Sequence, residues 1–113
     1  MKAELLYIPD CPNTQRVRRL LKRALRELGL SPEIDEIEVT DSSQAEMLHF
    51  PGSPTIRIDG TDVDEKSPRQ DGDGLCCRTY LIDGRLRGLP TQEMVRIAIR
   101  SAVSCAAMEA RSR

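Results

Sequence analysis

Residues 7–25, YIPDCPNTQRVRRLLKRAL, hold the junction on which the fold turns: a strand breaks at Pro9 and Asp10, a helix begins, and one cysteine stands between them. Upstream, residues 2–8 (KAELLYI) make an apolar run of strand length. Downstream, Val17, Leu20, Leu21, Ala24, Leu25 and Leu28 recur at helical spacing until Gly29 stops the pattern. Pro12 suits the first helical position, which makes Cys11 the expected cap residue. A thiol at a cap meets unpaired backbone N–H groups and the positive end of the helix dipole, both of which favour the thiolate. The junction therefore predicts a reactive cysteine.

Outward from this junction the chain alternates strands and helices. Residues 34–39 (IDEIEV) alternate apolar and acidic as a half-exposed strand does, and TDSSQAEMLHF carries a cap signal and a short helix. In GSPTIRIDG, Ile56 and Ile58 flank Arg57 ahead of a turn at Asp59-Gly60, which gives a third strand. The stretch TDVDEKSPRQDGDG is acidic and rich in turn formers, and is expected to be an exposed loop too long for an ordinary hairpin. CCRTYLID resumes a strand, Gly84 to Pro90 reads as a turn, and TQEMVRIAIRSAVSCAAM makes a final helix with Thr91 and Glu93 near its start. The expectation is one α/β domain over residues 1–108, ordered β-α-β-α-β-β-α. It has a four-stranded mixed sheet, a long acidic loop between the third and fourth strands, and a disordered tail at 109–113.

Composition limits the function. With 113 residues, 39% hydrophobic and 31% charged, the chain supplies one modest core. Lys plus Arg (17) nearly balance Asp plus Glu (18), so the net charge of -1 makes no case for nucleic acid or an acidic surface as partner. Glu4 interrupts the short apolar stretch at the N-terminus, which lacks the pattern of a signal peptide, and no run has the length of a membrane span. A cytoplasmic location is expected, without membrane or nucleic-acid partners. There the four cysteines point to catalysis, metal binding or plain packing rather than to structural disulfides.

In element order, and in two local motifs, the whole chain resembles the thioredoxin fold. CPNT stands where that superfamily keeps its Cys-x-x-Cys, and GSPT where it keeps a cis-proline loop beside the active-site cysteine. The resemblance implies Cys11 as nucleophile, Thr14 at the second position of the pair and Pro54 as the cis-proline. More narrowly, CPN, GSPTIRIDG and GLCCRTY are similar to small bacterial thioredoxin-like proteins sometimes grouped with alkylmercury lyases or mercury-resistance proteins. Thr14 departs from the superfamily pattern, because a threonine cannot resolve a mixed disulfide from within the motif. Its hydroxyl is instead expected to donate a hydrogen bond to the Cys11 thiolate. Among the basic residues of the first helix, only Arg16 is expected close enough to add to this.

The other candidates have plainer readings beside the functional ones. His49 has no cysteine near it in sequence and reads as packed or exposed, and Cys105 sits among Ala102, Val103 and Ala106 as a packing residue. Cys76 and Cys77 are adjacent, so in a regular strand they face opposite sides and only one can meet a given partner. Two functions follow, beside a plainer third reading as a thioredoxin-fold interaction domain without turnover. In the first, Cys11 exchanges with a protein or small-molecule disulfide, no cofactor takes part, and Cys77 or an outside thiol resolves the product. In the second, Cys11 with Cys76 or Cys77 holds Hg(II), an organomercurial or another soft metal as thiolate ligands. The resemblance favours Cys77, in the CRTY portion, over Cys76. One objection stands: if CRTYLI ran antiparallel to TIRI, its start would lie at the far end of the sheet from Cys11.

Overall fold

The computed structural model describes residues 1–64 and 78–111. Its first strand, β1 (Ala3–Tyr7), feeds α1 (Thr14–Glu27), and β2 (Asp35–Glu38) then pairs parallel to β1, with Leu5 opposite Glu36. A short α2 (Ser42–Met47) follows, started by Asp41, whose carboxylate accepts the Gln44 N–H at 2.7 Å. Strand β3 (Thr55–Ile58) returns antiparallel to β1, with Leu5 opposite Ile56. With β4 (Thr61–Asp62) beside β3, the sheet is a mixed one of four strands in the order β2-β1-β3-β4.

Alternation along the strands divides the core in two. Ala3 and Leu5 of β1 and Ile56 and Ile58 of β3 face one side, where they bury Val17, Leu21, Ala24 and Leu25 of α1 together with Val95 and Ile99 of the last helix. Leu6 faces the other side and packs with Val39, Ala45 and Phe50 around α2. Helices therefore cover both faces, as the parallel β1–β2 crossover requires. The apolar stripe of α1 behaves as its spacing predicts.

The fourth strand is not the one expected. An ordinary hairpin does form at Asp59-Gly60: both residues take positive φ, 50° and 83°, and Ile58 faces Thr61 across a two-residue turn. That geometry is a type I′ turn, for which Asp-Gly is a preferred pair. It makes Thr61–Asp62 the edge strand β4. Residues 65–77, which carry most of the expected acidic loop, lie outside the described residues. The chain from Tyr80 does not join the sheet. Instead β5 (Tyr80–Ile82) pairs with β6 (Arg85–Arg87) in a separate hairpin, turned at Asp83-Gly84 with φ of 51° and 77°. The segment read as a turn from Gly84 thus contains a strand. Finally α3 (Gln92–Arg111) starts where Thr91 Oγ1 accepts the Met94 N–H at 3.1 Å. Its backbone carries residues 109–111, which were expected in the tail.

Leu21 is fully buried between α1, the sheet and α3. Leu21→Ala should lower unfolding free energy by about 2–5 kcal/mol, measured by urea denaturation, while Met47→Ser, at an exposed site, should leave it nearly unchanged.

Candidate functional site

Cys11 is not the helix cap. Helical geometry begins at Thr14, with Asn13 as the flanking residue whose carbonyl accepts the Val17 N–H at 3.0 Å. Residues 11–14 form a turn of their own, closed by the Thr14 N–H on the Cys11 carbonyl at 3.4 Å. Asn13, at φ −96° and ψ −7°, has the angles of the third residue of a type I turn, and proline is favoured at the second. Pro12 therefore shapes the turn rather than opening the helix. The consequence for the thiol is similar to capping, because the side chain of a turn's first residue faces the N–H groups two and three positions on.

Cys11 is partly exposed. Partial burial pushes its pKa up, but hydrogen bonds outweigh it: from the Ser53 side chain first, then the Thr14 side chain, then the backbone of Asn13 and of Thr14. The net result is a thiol more acidic than usual. These causes are hydrogen bonds, not the charge of Arg16, which the sequence had suggested.

Ser53 was missed at the sequence level, where Pro54 alone drew notice in that loop. It is fully buried, and its hydroxyl oxygen accepts the Ile8 N–H at 3.1 Å. With the oxygen so engaged, the hydroxyl proton is left to donate to sulfur. Thr14 Oγ1 is buried and, among the described residues, has no hydrogen-bond partner. It nonetheless acts on the sulfur to lower its pKa. A buried hydroxyl without a partner is costly, and a thiolate at Cys11 gives it one.

The Ser53–Pro54 peptide bond is cis, the isomer implied for this loop, and Pro54 is buried. The loop is held from behind by Arg78. Its N–H donates to the Ser53 carbonyl at 2.7 Å, and its guanidinium grips Asp62 with two bonds, at 2.7 and 2.8 Å. The same guanidinium donates to Thr55 Oγ1 at 3.1 Å and to the Asp64 carbonyl at 2.8 Å, and lies over the Tyr80 ring at 4.4 Å. Tyr80, fully buried, donates its hydroxyl to the Pro54 carbonyl at 2.5 Å. Burial raises its pKa far above the ordinary tyrosine value, so it remains a donor. Gly52 is required by the same clamp: its φ is +135°, and a Cβ there would stand 3.0–3.3 Å from the Cβ, Cα and N of Arg78.

Cys76 and Cys77 lie outside the described residues, as does the side chain of Cys105. Arg78, next in sequence to Cys77, meets Ser53, which itself reaches the Cys11 sulfur. The described chain thus resumes beside the loop that faces Cys11, and β5 pairs with β6 rather than with β3. Among the described residues, no group of three or more His, Cys, Asp or Glu could hold a metal ion, and no helix is long and apolar enough to cross a membrane. His49 is exposed, with a positive φ of 50°.

Together these features define a small α/β domain with a mixed four-stranded sheet and one acidified cysteine facing a cis-proline loop. The chain belongs to the family described as a domain of unknown function, DUF2703, which matches residues 11–99. No curated protein and no solved structure matches it.

Two predictions follow from the clamp and the sulfur. Arg78→Met should cost about 3–5 kcal/mol of stability, because it strips the buried side of Asp62 of its partner, and Arg78→Met/Asp62→Leu should recover part of this in the same urea titration. The pH profile of Cys11 alkylation, followed by peptide mass spectrometry, should have its midpoint below that of the unfolded chain, and Thr14→Val or Ser53→Ala should each move it upward.

Proposed function

We propose that the chain is a thioredoxin-like monothiol protein that exchanges with disulfides through Cys11. The observation that carries the reading is the Cys11 thiol held more acidic than usual by the Ser53 and Thr14 hydroxyls and the backbone of Asn13 and Thr14, in a turn that faces the Ser53–Pro54 loop. A nucleophilic sulfur needs its thiolate populated near neutral pH, and this arrangement stabilises negative charge there without a cation or a metal. The sheet order β2-β1-β3-β4, with β2 parallel and β3 antiparallel to β1, also supports the superfamily assignment.

The chemistry is thiolate exchange. The Cys11 thiolate attacks one sulfur of a disulfide R–S–S–R, a Cys11–S–R bond forms, and the old S–S bond breaks. R–S⁻ leaves with the electron pair and takes a proton from water. Cys11 is thereby oxidised to a mixed disulfide and one half of the substrate is reduced. A second thiolate then attacks the mixed disulfide, releases Cys11 and forms the new disulfide. Thr14 cannot supply that thiolate, so the second thiol is Cys77 or an external one. Cys77 is favoured by its peptide link to Arg78, which holds the loop against Cys11. The soft-metal alternative takes its second thiolate ligand from Cys76 or Cys77, which lie outside the described residues.

Cys11→Ser should abolish thiol-dependent reduction of bis(2-hydroxyethyl) disulfide, and Cys77→Ser should slow it only when external thiol is scarce; turnover surviving in Cys11→Ser overturns the reading. Stability should respond with a defined sign. Because the folded thiol is more acidic than the unfolded one, the unfolded chain holds more protons between the two pKa values, so stability rises with pH across that window. Wild type should therefore gain on Cys11→Ser as the pH climbs from the folded pKa toward about 8.5, the ordinary value of a free cysteine, hold that gain above it, and lose it as pH falls through the folded pKa.

A further inference from the structure

Resting on that reading, we infer that Arg87 selects disulfides carrying negative charge next to the reacting sulfur. Two contacts place this arginine at the rim of the Cys11 site. Arg87 is directly opposite Tyr80 in the β5–β6 hairpin, and the Tyr80 hydroxyl reaches the Pro54 carbonyl. Opposed residues in an antiparallel pair share a face with Cβ atoms about 4.5–5.5 Å apart, so Arg87 lies on the side of the hairpin that Tyr80 directs at the cis-proline loop. The next residue, Gly88, is fixed on the other flank: the Asn13 side-chain amide donates to its carbonyl at 3.4 Å. A Cβ on Gly88 would stand 2.9 Å from that amide nitrogen, so the two chains touch. Asn13 is in the turn that presents Cys11. Arg87 is thus bracketed by the two segments that flank the sulfur.

Arg87 is exposed and, among the described residues, engages no acidic side chain, unlike Arg18, Arg78 and Arg96, which are paired with Glu36, Asp62 and Glu27. Arg85, two residues along the same strand face, is likewise exposed and unpaired among them. The site itself holds a buried hydroxyl, Thr14 Oγ1, that has no partner among the described residues, so it is arranged for negative charge at the sulfur as well as at the rim. Asp10, next in sequence to Cys11, and Asp83, at the hairpin turn, carry the opposite sign. The substrate class is an anionic disulfide, with a carboxylate close to the sulfur that Cys11 attacks.

The test compares formation of the Cys11 mixed disulfide, resolved by peptide mass spectrometry, with dianionic 5,5′-dithiobis(2-nitrobenzoate), neutral bis(2-hydroxyethyl) disulfide and dicationic cystamine. Arg87→Gln should cut the anionic-to-neutral rate ratio about threefold, the range of an exposed ion pair, and raise the cationic-to-neutral ratio, with the neutral rate unchanged. Both shifts should fade in 1 M salt. Arg26→Gln, in the last turn of α1, makes the same change in net charge and should move neither ratio. Unchanged ratios in Arg87→Gln, or an equal fall with all three probes, overturn the inference while leaving thiol exchange at Cys11 intact. Turnover that survives Cys11→Ser overturns the reading beneath it.

Discussion

Ser53 joins the parts of the site through three bonds made by one residue. Its hydroxyl oxygen takes the Ile8 N–H just past β1, its hydroxyl proton is free for the Cys11 sulfur, and its carbonyl takes the Arg78 N–H. The residue is fully buried, so each bond replaces water that cannot reach it. The strand that leads to Cys11, the loop that faces it and the chain that returns at Arg78 are therefore held in one mutual position.

Behind Ser53, Arg78 spends its charge on structure. A guanidinium with 4% of its surface exposed must be paired, and the two-pronged bond to Asp62 meets that demand in the planar geometry suited to arginine. Thr55, the Asp64 carbonyl and the Tyr80 ring take up the rest of it. This cluster explains why the last part of the chain leaves the sheet. Binding at Ser53 and Asp62 brings Arg78 back to the cis-proline loop, and the Asp83-Gly84 turn then folds β5 onto β6 rather than along β3. The resulting hairpin adds its own wall to the site through Gly88 and Asn13.

Acidification of Cys11 here needs no net positive charge. The first helix carries many arginines, yet Arg18 is paired with Glu36 and Arg19 bonds Gln15. Charges of that kind are screened by solvent, whereas hydroxyl and backbone donors in contact with sulfur act at short range and in a partly buried setting. The site is tuned by local dipoles, which also leaves the rim arginines free to meet a ligand.

Spacing alone determined the elements that depend on periodicity: β1, the stripe of α1 from Val17 to Leu25, the capped α2, the Ile56–Ile58 alternation and the final helix, because burying one face of a helix or strand forces a repeat that can be counted. It also marked Cys11, since a thiol at a strand-to-helix junction is a local fact, whereas Pro54 was marked by the resemblance of GSPT to a cis-proline loop. What it misplaced were the ends and partners of short pieces. The turns at Asp59-Gly60 and at Gly84 were legible, but the two- and three-residue strands after them, Thr61–Asp62 and Arg85–Arg87, are too short and polar to show a pattern, and Cys11 lost its cap position because Pro12 and Asn13 form a turn first. Ser53, Asp62, Arg78 and Tyr80 had no periodic signature at all. Their bonds join residues 14 to 45 positions apart, and the free energy of a buried hydrogen bond or ion pair depends on which groups meet away from water, a condition that exists only once the chain has folded.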